Sequence, residues 1–159
     1  MKKIFFLTAL ALVLFSCKSS SVTGRKLDKS AQVAIKGEWV LTSVTYPGSQ
    51  YIKVNSFDIA DSKCFVGSTW KFVSNNNKGN MALTSADCTG FSSPITWFVN
   101  TDQEFILKVL NAGEKAKRVR AGYKLFVENQ GDNSFQLVDK GNEVGGKAID
   151  VVYQFQRAN

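Results

Sequence analysis

The chain is 159 residues long, with 20 Lys and Arg against 13 Asp and Glu, three Cys, two Pro and no His. That length suits one domain, and 44% hydrophobic with 12% aromatic residues can build a core. Without His there is no Ser-His-Asp triad, no His-activated thiol and no His-ligated metal, and three Cys are too few for a four-thiolate zinc site.

Lys2 and Lys3 precede a run of low polarity over residues 4–15, IFFLTALALVLF. The run is about a dozen residues, short of the roughly 20 that a transmembrane helix needs. With small Ser16 behind it, this is the plan of a secretory signal peptide over residues 1–16. Leu14-Phe15-Ser16-Cys17 resembles a bacterial lipobox, with Phe15 bulkier than usual. The resemblance implies that Cys17 is lipidated (palmitate among its acyl chains) and becomes the new N-terminus. Two or three acyl chains anchor stably, since each buried methylene adds roughly 0.8 kcal/mol. The expected place is the bacterial outer membrane. No acidic residue follows Cys17, which favours the periplasmic face.

Residues 17–35 read as the lipidated Cys and a polar tether, with one short helical turn expected around 28–36. Loss of residues 1–16 leaves 18 basic against 13 acidic residues, a charge of +5. Lys18, Arg25, Lys26 and Lys29 against Asp28 place +3 of that in the tether. The folded part is nearly balanced, which gives no basic footprint for nucleic acid.

Residues 36–159 form the predicted domain. Its apolar runs are short, β-branched or aromatic, and bounded by Gly, Asn, Asp or Ser. Eight strands are predicted: 38–46, 68–74, 80–86, 94–100, 104–110, 119–128, 133–139 and 147–157. Several alternate with period two. Ile149, Val151, Tyr153 and Phe155 share one face of the last strand, and Trp70 and Phe72 oppose Thr69 and Lys71. Ile95, Trp97 and Val99 oppose Thr96 and Asn100. One buried and one wet face is the antiparallel signature. Short links between successive strands imply up-and-down neighbours, and about eight strands close a small barrel. The fold class is therefore an all-β, up-and-down antiparallel barrel. Segment 47–67 lacks regular pattern and is long enough for a lid over one mouth.

Gly37-Glu38-Trp39 is the G-x-W motif that opens the first strand of lipocalins, and Arg157 closes the last strand in phase with Tyr153 and Phe155. The stretch 36–157 resembles the lipocalin-like domain of small lipoproteins of Bacteroidota, within the calycin-like barrels. The resemblance implies that Arg157 lies across Trp39 and that Gly37, Trp39 and Arg157 close one barrel end. The META-type small lipoprotein domain, which also opens with a Trp-bearing strand, is a competing fold.

With Cys17 taken by lipid, Cys64 and Cys88 remain as an even pair in an oxidising compartment. Their midpoint, residue 76, is close to the centre of the turn between the second and third predicted strands. A hairpin there sets the two almost opposite, which suits a disulfide.

Enzymatic signatures are missing. No G-x-S-x-G elbow, phosphate-binding G-x-x-x-x-G-K-S/T loop or G-x-G-x-x-G occurs. Asp58 and Asp61 read as loop or capping residues. Lys115, Lys117, Arg118 and Arg120, interleaved with Ala and Val, read first as a wet strand entrance and second as an anion-binding patch. The expected function is binding, not catalysis, by a monomer without metal or cofactor. A small hydrophobic or amphipathic ligand would enter a barrel lined by Trp70, Phe72, Trp97, Phe105, Tyr123, Phe135 and Tyr153. The alternative is a structural or interaction lipoprotein with a filled barrel, accessory to an outer-membrane assembly.

Overall fold

Alternation of apolar and polar side chains is realised as a closed barrel. In the computed structural model, residues 27–49, 52–111, 115, 117–119 and 122–159 are described. The expected signal peptide, Cys17, the expected tether up to residue 26, and Arg120 lie outside the described residues.

The elements are α1 (Lys29–Ile35), β1 (Gly37–Thr45), β2 (Asn55–Ser56), β3 (Ala60–Asp61), a 3-10 turn (Ser62–Phe65), β4 (Thr69–Val73) and β5 (Lys78–Leu83). They continue as β6 (Phe91–Val99), β7 (Glu104–Val109), β8 (Tyr123–Glu128), β9 (Ser134–Val144) and β10 (Lys147–Arg157). Strands β1 and β4 to β10 form a closed barrel in which every sequential pair from β4 onward is antiparallel. β1 pairs with both β10 and β4 and closes it. The up-and-down antiparallel class read from the alternation is the one observed.

Side chains of the inward phase fill the barrel. Trp39, Phe72, Trp97, Phe105, Phe135, Tyr153 and Phe155 are all buried. At roughly 25 cal/mol per Å² of apolar area, such aromatics dominate the hydrophobic stabilisation.

The boundaries move for local reasons. β5 starts two residues early because Asn76 Oδ1 accepts from the Lys78 amide at 3.1 Å and Asn77 takes a left-handed φ of 55°, which tightens the turn. β8 starts at Tyr123 and not at 119. The Arg118 amide donates to the Lys115 carbonyl at 2.8 Å, so Lys115, Lys117 and Arg118 of the basic cluster lie in loop and not in strand. β9 runs five residues further than predicted, past a register shift that opposes Ile149 to Asn142 and Val151 to Asp139. Asn100, expected on the wet face, is fully buried and holds the β6–β7 turn: its Oδ1 accepts from the Asp102 and Glu104 amides.

Residues 27–35, expected in the tether, are folded onto the barrel. The Asp28 carboxylate caps α1 by accepting from the Ala31 amide at 3.0 Å, the short polar side chain that a helix start favours. Leu27 bridges to Asn100, and Ala31 and Ile35 are buried. The helix thereby seals the barrel end at which β1 begins.

Candidate functional site

The two barrel ends are built differently. At the sealed end the Arg157 guanidinium carbon lies 4.3 Å from the centre of the Trp39 ring. Its nitrogens donate to the carbonyls of Ala34, Lys36 and Asp132, so the cation also serves the carboxyl end of α1. Trp39 Nε1 donates to the Ile35 carbonyl at 2.7 Å. Gly37 has a φ of 129°, and a Cβ there would sit 2.6 Å from Arg157 Nη1, so only glycine lets the guanidinium lie flat.

Five of the expected lining residues pack against one another. Phe72 meets Trp97, Phe105 and Phe135 with ring centroids 5.0, 5.7 and 6.4 Å apart, and Trp70 lies 6.0 Å from Phe72. Their indole N–H groups are satisfied locally: Trp97 Nε1 donates to the Lys78 carbonyl and Trp70 Nε1 to Ser68 Oγ. These rings are the core itself. Tyr123 and Tyr153, with the near edge of Trp70, meet the segment that closes the other end.

That segment is the lid-length stretch, and it carries more order than its sequence suggests. β2 and β3 form a small hairpin whose turn puts Phe57 inside the mouth. Phe57 stacks on Tyr153 (centroids 5.5 Å, planes at 30°) and meets Phe65, Tyr123 and Trp70 edge-on at 5.2, 5.2 and 6.3 Å. Ser56 Oγ and the Tyr153 hydroxyl share a buried hydrogen bond. The Tyr123 hydroxyl donates toward the Phe57 carbonyl (2.7 Å) and Asp58 Oδ2 (3.1 Å). Phe57 and Asp58 have φ of 56° and 53°, and the Ile59 amide closes the turn on the Ser56 carbonyl at 3.0 Å. Consecutive left-handed residues that are not glycine cost on the order of 1–3 kcal/mol each and persist only when surroundings over-determine them. We call this hairpin the plug.

Cys64, in the 3-10 turn after the plug, is bonded to Cys88 in the β5–β6 loop with Cα atoms 5.8 Å apart. A cleft of about 300 Å³ beside the bridge is bordered by Ile59, Ala60, Asp87 and Phe91. Asp61 caps the 3-10 turn, accepting from the Lys63 amide at 2.9 Å.

Burial first, and the Asp58 carboxylate second, push the Tyr123 hydroxyl up from 10.0 to about 12. Burial raises Tyr153 in the same direction. The unfolded chain therefore loses these protons first as pH rises. The contribution is fully present below about pH 10 and declines between about pH 10 and 12. Urea unfolding midpoints should fall across that window, and Tyr123→Phe should make the fall smaller. An identical fall in the variant would contradict the assignment.

Sequence reasoning missed Phe57, Phe65 and Ser56. A signal was present, since Ile52, Val54, Phe57, Ile59 and Phe65 are too many apolar residues for a solvated loop.

A model of the lipocalin-like domain matches residues 35–140. A solved lipocalin-like protein from Bacteroides uniformis is 14% identical, with a TM-score of 0.48; the likeness covers 79% of this chain and 99% of that one. No curated protein matches the chain.

Proposed function

The chain belongs to the lipocalin-like domain family, and from that premise we propose that it is a non-enzymatic binding protein for a small hydrophobic or amphipathic ligand. It is held to the outer membrane by a lipid on Cys17 and faces the periplasm. The ligand enters at the plugged mouth and displaces Phe57. The observation that carries this reading is the plug: an aromatic side chain from a loop, held in a costly turn, fills the one end that α1 does not seal. The Leu14 to Cys17 lipobox supports the anchor.

The packed rings around Phe72 favour the second reading, a filled barrel that binds protein through its loops. The test is fluorescence of N-phenyl-1-naphthylamine, a neutral apolar probe, with the mature chain (residues 17–159) carrying Cys17→Ser so that no acyl chain competes. The wild-type barrel should bind it, and Phe57→Ala about tenfold more tightly, because an internal competitor has been removed. Absence of binding in both, with both folded, would leave the filled-barrel reading.

A further inference from the structure

The plug offers the mouth three groups in two residues: a flat ring, a carbonyl and a carboxylate. The Phe57 ring lies against the face of Tyr153. The Phe57 carbonyl and the Asp58 carboxylate both lie within hydrogen-bond reach of one hydroxyl, that of Tyr123. Building on the small-ligand reading above, we propose that Phe57-Asp58 is an internal stand-in for the ligand, and that the ligand which displaces it is a flat apolar carboxylate. Its ring takes the place of Phe57 against Tyr153, and its acid accepts from the Tyr123 hydroxyl.

Two more observations point the same way. Withdrawal of the plug takes Ser56 Oγ from Tyr153 and both acceptors from Tyr123. A purely apolar occupant leaves the buried Tyr153 hydroxyl without its Ser56 partner, whereas one that brings acceptor oxygens restores these bonds and gains affinity over an apolar analogue. Around the same barrel end, Lys53 in the plug segment and Lys115, Lys117 and Arg118 in the β7–β8 loop are exposed and carry no ion pair among the described residues. The exposed carboxylates of Asp87 and Glu143 at the same end offset part of this charge, so the cations assist an anion only modestly and the Tyr123 hydroxyl carries the selection. The left-handed turn completes the device, because its strain is released when an outside group takes over the contacts of the plug.

The experiment is calorimetric titration of the same Cys17→Ser chain with 4-phenylbutanoate and with 4-phenylbutanamide, which share a ring and differ in charge. The acid should bind about tenfold more tightly than the amide. Tyr123→Phe should weaken the acid more than the amide and so reduce that preference severalfold; an unchanged preference would overturn the role of Tyr123. Phe57→Ala should tighten both. Asp58→Asn keeps the ring in place and removes only the charge; it serves if Phe57→Ala fails to fold. It should tighten the acid selectively, and an unchanged acid affinity there would overturn the stand-in. Equal affinity for acid and amide, or binding of the neutral naphthylamine but of neither phenylbutanoate probe, would overturn this proposal and leave the small-ligand reading standing. No binding of any of the three probes, in wild type or in a folded plug variant, would overturn both.

Discussion

Trp39→Ala lowers the free energy of unfolding by about 3–5 kcal/mol, the range for truncating a large buried aromatic. The indole is 1% exposed and meets Phe135 edge-on at 4.7 Å. It also does three jobs at once. It donates to the Ile35 carbonyl at the end of α1, it seats the Arg157 guanidinium, and it fills the base of the barrel. Alanine leaves a cavity and an unpaired helix carbonyl. Arg157→Met separates these contributions: it keeps the indole and removes a cation at an exposed position, so it should cost only about 0.5–2 kcal/mol. Urea unfolding of both variants checks the ranking. A loss under about 1 kcal/mol for Trp39→Ala would show that the indole closes nothing.

The second large effect is on the bridge. Converting Cys64 and Cys88 together to Ser opens a loop of 24-residue separation. On the chain-entropy model that costs roughly 3–4 kcal/mol, enough to lower the melting temperature by about 10 °C. The consequence is local as well as global. The bridge ties the segment that carries the plug to the β5–β6 loop, and Ser62 on that segment holds Val54 through its amide. Limited proteolysis of the double variant should therefore cut first within residues 52–66. Titration of unfolded, non-reduced wild-type protein should find neither Cys64 nor Cys88 reactive. A melting temperature within about 2 °C of wild type would mean that packing of Phe57 and Phe65 alone holds the segment.

The barrel was legible because period-two alternation is a local property. Ile149, Val151, Tyr153 and Phe155 are all buried, as their spacing requires. The disulfide was legible for a related reason: antiparallel pairing about a known turn fixes which residues face each other. The plug was not, because its causes are distant. Ser56 meets Tyr153 across 97 positions, and Phe57 takes a left-handed turn position that propensity assigns to Gly or Asn. Lys115 and Lys117 alternate with small apolar neighbours as a strand would, yet the segment turns at Lys115 to Arg118 instead of pairing. The fullness of the barrel was illegible in principle. Trp70, Phe72, Trp97, Phe105 and Phe135 occupy inward phases whether the interior holds a ligand or only themselves; only their ring distances tell the two apart.

The route by which the chain enters the barrel sets the polarity of the whole molecule. Leu27 bridges Asn100, and the Asp28 amide donates to the Val99 carbonyl, so the lead-in reaches the barrel at the end that α1 seals. From there β1 crosses to the plug over nine residues, roughly 25 Å at an ordinary strand rise and tilt. Leu27 and the plug therefore occupy opposite poles. A visitor to Phe57 arrives from the side opposite Leu27, past the β5–β6 loop and the Gly145-Gly146 hairpin.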